Sequence, residues 1–191
     1  TVESISPHRV LGVDRTAGYV QELQRSAEAE GLSVRTRVAD MREPTPTASF
    51  DLALNLYHSF GYFEDPADDR RVASNLHVAL RPGGALVMDL WGREVMERVL
   101  QPLRELRLPD GRTLIEESSM EPDGSWLRSR WTVRGEGTEQ QFDMSFRPYS
   151  GALLEATLRR AGFAEVALYG GWDRRPYDGE APRLVAVARK G

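Results

Sequence analysis

A strand, a helix and a second strand follow one another near the start of this sequence, and this pattern constrains the fold more than any other feature. The apolar run at residues 8–13 is closed by Asp14. Thr16 can then cap a segment whose apolar residues recur at helical spacing until Gly31. Within residues 34–38, Val34, Thr36 and Val38 alternate with two arginines, as in a half-buried strand. Two strands joined by a helix in this order predict a parallel βαβ unit.

The sequence after the Pro-rich loop at residues 44–47 continues the alternation of strands and helices. The predicted elements are a strand in the first half of residues 50–63, a helix after Asp65, a strand at 85–90, a short helix at 94–100, a helix after Ser150, and strands near 164–169 and 184–188. The segment Arg81–Gly84 is predicted to end the helix that follows Asp65. This order is typical of an α/β fold.

An antiparallel pattern interrupts this alternation between residues 103 and 147. Turn signals recur about every 13 residues, at 109–111, 122–124 and 135–137, and predict four strands joined by three hairpins. Such a meander has too little core to stand alone, so we expect it to pack on the main body or on a partner. The predicted organisation is a core of residues 1–92 and 148–191 with an inserted antiparallel β lobe at 93–147.

Composition excludes several classes of function. The net charge of −4 and the pI near 5.5 argue against nucleic-acid and anionic-membrane partners, which usually require a basic patch. The absence of cysteine and the wide separation of the three histidines predict no disulfide, no thiolate nucleophile and no metal site. No apolar run approaches about 18 residues and no leader is visible, so we expect a cytoplasmic protein.

Five short segments resemble, in order and spacing, the class I S-adenosylmethionine-dependent methyltransferases from their second strand to their last. These segments are Val13–Asp14, Ala39–Met41, Phe50–Asp51, Arg81–Gly84 and Ala161–Phe163. The resemblance implies a Rossmann-like methyltransferase sheet with the antiparallel meander inserted, S-adenosylmethionine as cofactor, and methyl transfer to a small-molecule acceptor by in-line displacement. Residues 59–63, 169–172 and 182–183 further resemble a bacterial small-molecule branch that includes amino-sugar N-methyltransferase-like proteins.

The resemblance also implies a first strand that ends in a glycine-rich turn. With its helix, that strand should precede His8 by about 30 residues, but seven residues precede His8 and none of them is glycine. Without it, the neighbouring strands would lie about 10 Å apart with unpaired ladder groups between them. We therefore expect that this stretch is missing from the sequence, either by truncation or at a seam near residues 6–8.

Candidate cofactor-binding residues follow the predicted parallel strands, because ligands of open α/β sheets bind beyond the carboxyl ends of the strands. The resemblance implies that Asp14 contacts the cofactor ribose and that Asp40 and Met41 contact the adenine. The full candidate set is Asp14, Arg15, Asp40, Met41, Asn55 and Leu56, the last two near the methionyl end. For each position a purely structural role, such as capping a turn or bonding backbone, stays open.

Candidate acceptor-binding and catalytic residues lie in the loops. If the acceptor must lose a proton, His58 is the best available base, and Tyr57 adjoins it. Six aromatic residues can wall an acceptor pocket or shield the methyl group, and each can equally belong to core or lobe packing: Tyr57, Tyr62, Trp91, Tyr149, Trp172 and Tyr177. Arg183 can anchor an acidic substrate or simply pair with a nearby carboxylate.

Two alternative functions stay open at this point. A nicotinamide-dependent oxidoreductase also places an acidic residue such as Asp14 at a strand end, although no Tyr-x-x-x-Lys constellation is present. A cofactor-binding fold without activity could instead serve as an interaction module through Trp126 and Trp131 of the meander. The β lobe could act as a substrate lid or as the surface of a homodimer.

Overall fold

The computed structural model describes residues 9–191, which fall into two compact units that divide between Thr45 and Pro46. The predicted seam near residues 6–8 lies outside the described residues. This division differs from the predicted one, whose boundaries at 92 and 148 separate the core from the lobe. The lobe boundaries stay a prediction.

The first unit contains the predicted βαβ element. Its members are β1 (Val10–Asp14), α1 (Ala17–Ala29) and β2 (Val34–Val38). The two strands pair in parallel, with Val10 opposite Val34 and Asp14 opposite Val38. A Cβ atom on Gly12 would lie 2.4 Å from a methyl carbon of Leu23. The absence of a side chain at position 12 therefore allows α1 to pack closely on β1.

The second unit combines a mixed sheet with an antiparallel one. Its elements are β3 (Phe50–Asn55), α2 (Pro66–Ala79), β4 (Leu80–Leu90), α3 (Arg93–Val99), β5 (Leu103–Arg107), β6 (Thr113–Met120), β7 (Leu127–Gly135), β8 (Thr138–Phe146), α4 (Gly151–Arg160), β9 (Phe163–Tyr169) and β10 (Leu184–Lys190). The mixed sheet has the order β3-β4-β10-β9, in which β3 and β4 are parallel and β10 is antiparallel to both neighbours. The other sheet, β5-β6-β7-β8, is the predicted four-stranded meander.

The segment Arg81–Gly84 is part of a strand, which corrects the prediction that it only separates a helix from a strand. The helix α2 ends at Ala79 and β4 begins directly at Leu80. Phe50 pairs with Leu80, but Leu52 pairs with Ala85, so the segment forms an irregular stretch of the ladder. Arg81 closes it by donating to both carboxylate oxygens of Asp51, at 2.8 and 2.9 Å. The strand is continuous because this bulge absorbs the extra residues.

The core of the second unit lies around its two central strands. Fully buried apolar side chains come from both strands and from the helices that cover them: Leu86, Met88 and Leu90 of β4, Leu184, Ala186 and Ala188 of β10, Val72 of α2, and Leu154 and Leu158 of α4. Both helices begin at capping side chains, since Asp65 accepts a hydrogen bond from the backbone N–H of Ala67 and Ser150 from that of Leu153. None of the helices within residues 9–191 is both long enough and apolar enough to cross a membrane.

The strand β3 is an edge of the mixed sheet within the described residues, since it pairs there with β4 alone. Two of its leucines, Leu52 and Leu54, are 52% and 57% exposed. An edge strand of this kind presents unpaired backbone groups along its free side.

Candidate active site

The chain leaves β3 through a strained turn. Tyr57 and His58 both have backbone φ angles in the left-handed region, at 54° and 58°. Such angles are unfavourable for residues with a Cβ atom and persist only where the surroundings hold them. The N–H of His58 donates to the backbone carbonyl of Asp89 at 2.9 Å, and the N–H of Tyr57 lies 3.3 Å from Asp89 Oδ2. The end of β4 therefore fixes the turn that follows β3.

An ion pair holds the carboxylate that receives the Tyr57 N–H. Arg183 contacts Asp89 through two bonds, Nε to Oδ1 at 2.5 Å and Nη2 to Oδ2 at 2.8 Å. The side chain of Asp89 is 4% exposed and that of Arg183 is 29% exposed. This bidentate geometry is the strong form of an arginine–carboxylate pair. Arg183 was expected either to anchor an acidic substrate or to pair with a nearby carboxylate, and in the structure it pairs with the carboxylate of Asp89.

The imidazole of His58 is enclosed by aromatic rings. It stacks on Trp91 with a centroid distance of 5.1 Å and meets the edge of Phe146 at 4.1 Å and of Tyr62 at 5.7 Å. The side chain is 1% exposed. The structure thus brings Tyr62 and Trp91, two of the predicted pocket residues, to the predicted catalytic histidine.

The hydrogen bonding of His58 defines its tautomer. Its Nδ1 accepts the backbone N–H of Trp91 at 3.0 Å. Burial, reinforced by the charge of Arg183 and opposed by that of Asp89, lowers the pKa of His58 to about 4. The ring is therefore neutral near pH 7 and carries its proton on Nε2, a buried atom with no partner among residues 9–191. In this arrangement His58 offers a donor, whereas a general base needs a free acceptor nitrogen.

Tyr57 and Trp172, two further predicted residues, form no ring contact with His58 within residues 9–191. Tyr57 is 88% exposed and Trp172 is 60% exposed. Tyr149 is buried, where its hydroxyl donates to Asp69 at 3.0 Å and its ring lies 5.1 Å from Phe60. Tyr149 therefore forms no ring contact with His58, Tyr62, Trp91 or Phe146 within residues 9–191, and it lines a different cleft of the second unit.

Tyr177 joins the segment between β9 and β10 to α3. Its hydroxyl donates to Glu94 at 2.7 Å, and the other oxygen of Glu94 accepts the backbone N–H of Gly151 at 3.2 Å. Burial and the Glu94 carboxylate raise the pKa of Tyr177. This arrangement assigns Tyr177 a structural contact.

A buried carboxylate in α2 was not singled out as a functional candidate. Asp69 is fully buried, and its Oδ2 receives the Tyr149 hydroxyl and lies 3.5 Å from Arg147 Nε. Burial raises the pKa of Asp69, and the hydrogen bond from Tyr149 and the Arg147 charge oppose that rise. In the sequence, Asp69 looks like an ordinary acidic residue of a helix first turn. No local signal distinguishes it from Asp68.

In the first unit, Asp14 and Asp40 end up in different environments. Asp14 is exposed, and one of its oxygens accepts the N–H of Thr16 at 2.7 Å. Arg42 occupies both carboxylate oxygens of Asp40, with Nε to Oδ1 at 3.0 Å and Nη2 to Oδ2 at 2.8 Å. The side-chain hydrogen bonds from Arg42, above all, lower the pKa of Asp40 to about 2. Asp14 is therefore the freer acceptor.

Asn55, at the end of β3, presents an acceptor without a partner. Its Oδ1 is buried and accepts no hydrogen bond within residues 9–191. A buried polar atom in this state is costly unless a ligand satisfies it. Leu56, beside it, is half-buried, as is Met41 in the first unit, whereas Arg15 is exposed.

Together, the fold and these strand ends define a class of protein. The chain has the fold of class I S-adenosylmethionine-dependent methyltransferases, and the resemblance predicted from the sequence is confirmed. The family model described as a methyltransferase domain matches residues 2–84.

Two solved methyltransferase structures share this fold. The chain is similar to the CcbJ methyltransferase of Streptomyces caelestis, with 18% identity, a TM-score of 0.82 and coverage of 95% of this chain and 74% of that one. It is similar to the S-adenosylmethionine-bound amino pentose methyltransferase CalS10 of Micromonospora echinaspora, with 22% identity, a TM-score of 0.63 and coverage of 100% and 87%. Both structures share the fold of this chain.

A curated relative matches a shorter segment. The N(4)-bis(aminopropyl)spermidine synthase of Thermus thermophilus is 39% identical over 62 residues, which are 32% of this chain and 16% of that protein. The match therefore covers a small part of that relative.

Proposed function

We propose that the protein transfers a methyl group from S-adenosylmethionine to a small-molecule acceptor. The observation that carries the proposal is a pair of buried polar atoms at the end of β3 that have no hydrogen-bond partner within residues 9–191, the acceptor Asn55 Oδ1 and the donor His58 Nε2. Ligands of open α/β sheets bind at such strand ends. The likeness to an amino pentose methyltransferase favours a small acceptor.

The residues present fit S-adenosylmethionine, which carries ammonium and hydroxyl donors. Asn55 Oδ1 can accept from an ammonium group, with Leu56 packing beside it. In the first unit, the oxygen of Asp14 that Thr16 does not use can accept ribose hydroxyls. Arg15 and Met41 stay candidates for contacts to the cofactor, and Asp40 can accept from the adenine if Arg42 shares its carboxylate.

The chemistry that the bound cofactor supplies is a methyl group activated by a sulfonium, which needs no protonated leaving group. The protein then has to position the acceptor and exclude water. His58 Nε2 can donate a hydrogen bond that orients the acceptor, and Tyr62 and Trp91 exclude water around the imidazole. A general-base role for His58 stays a prediction, since it requires the hydrogen bond from Trp91 to break.

Calorimetry separates this proposal from its alternatives. We expect S-adenosylmethionine to bind and NAD not to bind. Binding of NAD alone would indicate the oxidoreductase, and cofactor binding without turnover on amine, hydroxyl and carbon acceptors would indicate the interaction module. A cytoplasmic location and a homodimer through the β lobe stay proposals, tested by fractionation and by light scattering.

Asp14→Ala tests the ribose contact. We expect S-adenosylmethionine affinity to fall at least about tenfold, because charge-assisted hydrogen bonds contribute about 1.5–3 kcal/mol each. The melting temperature should change little, since the side chain is exposed. Glu22→Ala, a change at another exposed acid of the same unit, is the control. An unchanged affinity in Asp14→Ala would show that the cofactor site is misplaced.

A further inference from the structure

A cleft of about 520 Å³ opens in the second unit between α2, α4 and the β lobe. Its lining includes neither His58 nor the other residues that follow β3. Among the described residues, its wall carries four arginines, Arg70, Arg93, Arg147 and Arg160, and no acidic side chain. Its apolar lining includes Pro66, Leu153 and Ala156, and the ring of Tyr149 also lines the cleft. The cleft therefore combines concentrated positive charge with an apolar floor.

Three of the four arginines form no ion pair within the described residues, although the charge of Arg93 contributes to lowering the pKa of nearby Asp123. Arg70, Arg93 and Arg160 form no ion pair with any residue of the described range 9–191, whereas their sequence neighbours Arg71 and Arg159 do. An arginine usually pairs where a carboxylate is near, since the pair offsets the loss of hydration. The charges of Arg70 and Arg160, and the part of the Arg93 charge that Asp123 does not balance, are thus available to a ligand.

The Arg93 side chain packs against a turn, but one of its hydrogen-bond donors has no partner within residues 9–191. Its Nε is buried and has no hydrogen-bond partner within residues 9–191. The side chain lies against the turn between β6 and β7, where a Cβ on Gly124 would be 3.0 Å from Arg93 Cδ and 3.2 Å from Nε. A buried donor without a partner that lines a cleft is what a bound acceptor would satisfy.

Arg147 forms a fixed part of the same wall. It donates to the backbone carbonyls of Phe63 and Glu64 at 3.3 and 3.0 Å, and its guanidinium lies 5.3 Å from the ring centroid of Trp126. Its contact with buried Asp69 balances part of its charge. The unbalanced charge of the cleft therefore comes from the other three arginines.

We infer that this cleft binds the phosphate group of an organic phosphate monoester. Guanidinium groups match phosphate oxygens with forked hydrogen bonds, and three arginines that form no ion pair within residues 9–191 suit a dianion. The floor of Pro66, Leu153 and Ala156 gives the organic part an apolar surface to cover. This inference goes beyond methyl transfer and does not depend on it.

Calorimetry on the full chain tests the site with phenyl phosphate, inorganic phosphate and benzyl alcohol. We expect phenyl phosphate to bind most tightly, because it alone uses both the arginines and the floor. Arg70→Gln, Arg93→Gln and Arg160→Gln should each weaken it about tenfold. The neighbouring changes Arg71→Gln and Arg159→Gln, which remove charges outside the cleft, should leave the affinity unchanged.

Three results would overturn the inference: no binding of phenyl phosphate, equal weakening by the neighbouring changes, or equal affinity for inorganic phosphate and phenyl phosphate. If Arg93→Gln fails to fold, the two exposed positions decide the matter. S-adenosylmethionine affinity should be the same in Arg160→Gln and the unaltered protein. A failure of phosphate binding therefore leaves the methyltransferase proposal standing.

Discussion

Removing the charge of Asp89 should destabilise the second unit and release the turn after β3. Asp89→Asn keeps the side-chain size but leaves Arg183 without its bidentate partner. It also weakens the acceptor of the Tyr57 N–H, one of the contacts that hold the left-handed residues. Both consequences arise from one carboxylate that is 4% exposed.

The exposure of the two partners sets the size of the effect. Breaking a fully buried ion pair costs about 3–5 kcal/mol. Because Arg183 is 29% exposed, water can partly solvate its guanidinium, so we expect a loss of about 2–3 kcal/mol. For a chain of this size such a loss lowers the melting temperature by about 5–10 °C.

A double-mutant cycle measured by urea denaturation checks this reasoning. Arg183→Gln should also destabilise, and the double variant should lose less than the two single losses added, with a coupling of about 1–3 kcal/mol. Asp143→Asn is the matched control, because the Arg130–Asp143 pair is exposed at both partners and should contribute little. Additive losses, or an equal loss in the control, would refute the assigned role of the pair.

Two further predictions concern the same unit. His58 binds its proton less tightly in the folded than in the unfolded chain, with a pKa of about 4 against 6.5, so the unfolded state takes up more protons between these values. The free energy of unfolding should then fall by up to about 3 kcal/mol as pH drops from 6.5 to 4. Urea denaturation at pH 7 and pH 4.5 should show a smaller fall of this free energy in His58→Gln than in the unaltered protein. Gly61 has φ 98°, and a Cβ there would lie 2.7 Å from the Arg147 carbonyl oxygen. Gly61→Ala should cost more stability than Gly137→Ala, because at Gly137 φ is 69° and no atom lies within 4 Å of the added Cβ. The positive φ alone costs a residue with a Cβ about 1–2 kcal/mol. Equal melting temperatures for the two variants would contradict the steric argument.

Local patterns were sufficient to predict most of the fold. The first βαβ unit, the meander and α4 were readable because apolar spacing, turn residues and caps act within a few residues of one another. Arg81–Gly84 was predicted less well, because whether a Pro-Gly-Gly segment separates a helix from a strand or forms a bulge within the strand depends on the pairing with β3. That pairing is not local.

The candidate site was less predictable, because its contacts join distant residues. Asp89 and Arg183 are 94 positions apart, and Asp69 and Tyr149 are 80 apart. The left-handed turn gave no signal either, because Tyr57 and His58 lack the glycine or asparagine that usually marks such angles. Residue types at strand ends could be predicted, whereas their protonation and partners could not.

The strained turn connects the stability of the second unit with the properties of the proposed site. Two residues in left-handed conformation cost about 1–3 kcal/mol each, and hydrogen bonds to Asp89 offset this cost. Since Trp91 fixes Nδ1 as the acceptor, the same end of β4 also determines that His58 presents a donor. A ligand at Asn55 and His58 would therefore meet polar groups whose orientation is already determined. It follows that Asp89→Asn should weaken ligand binding there even though Asp89 itself need not touch the ligand.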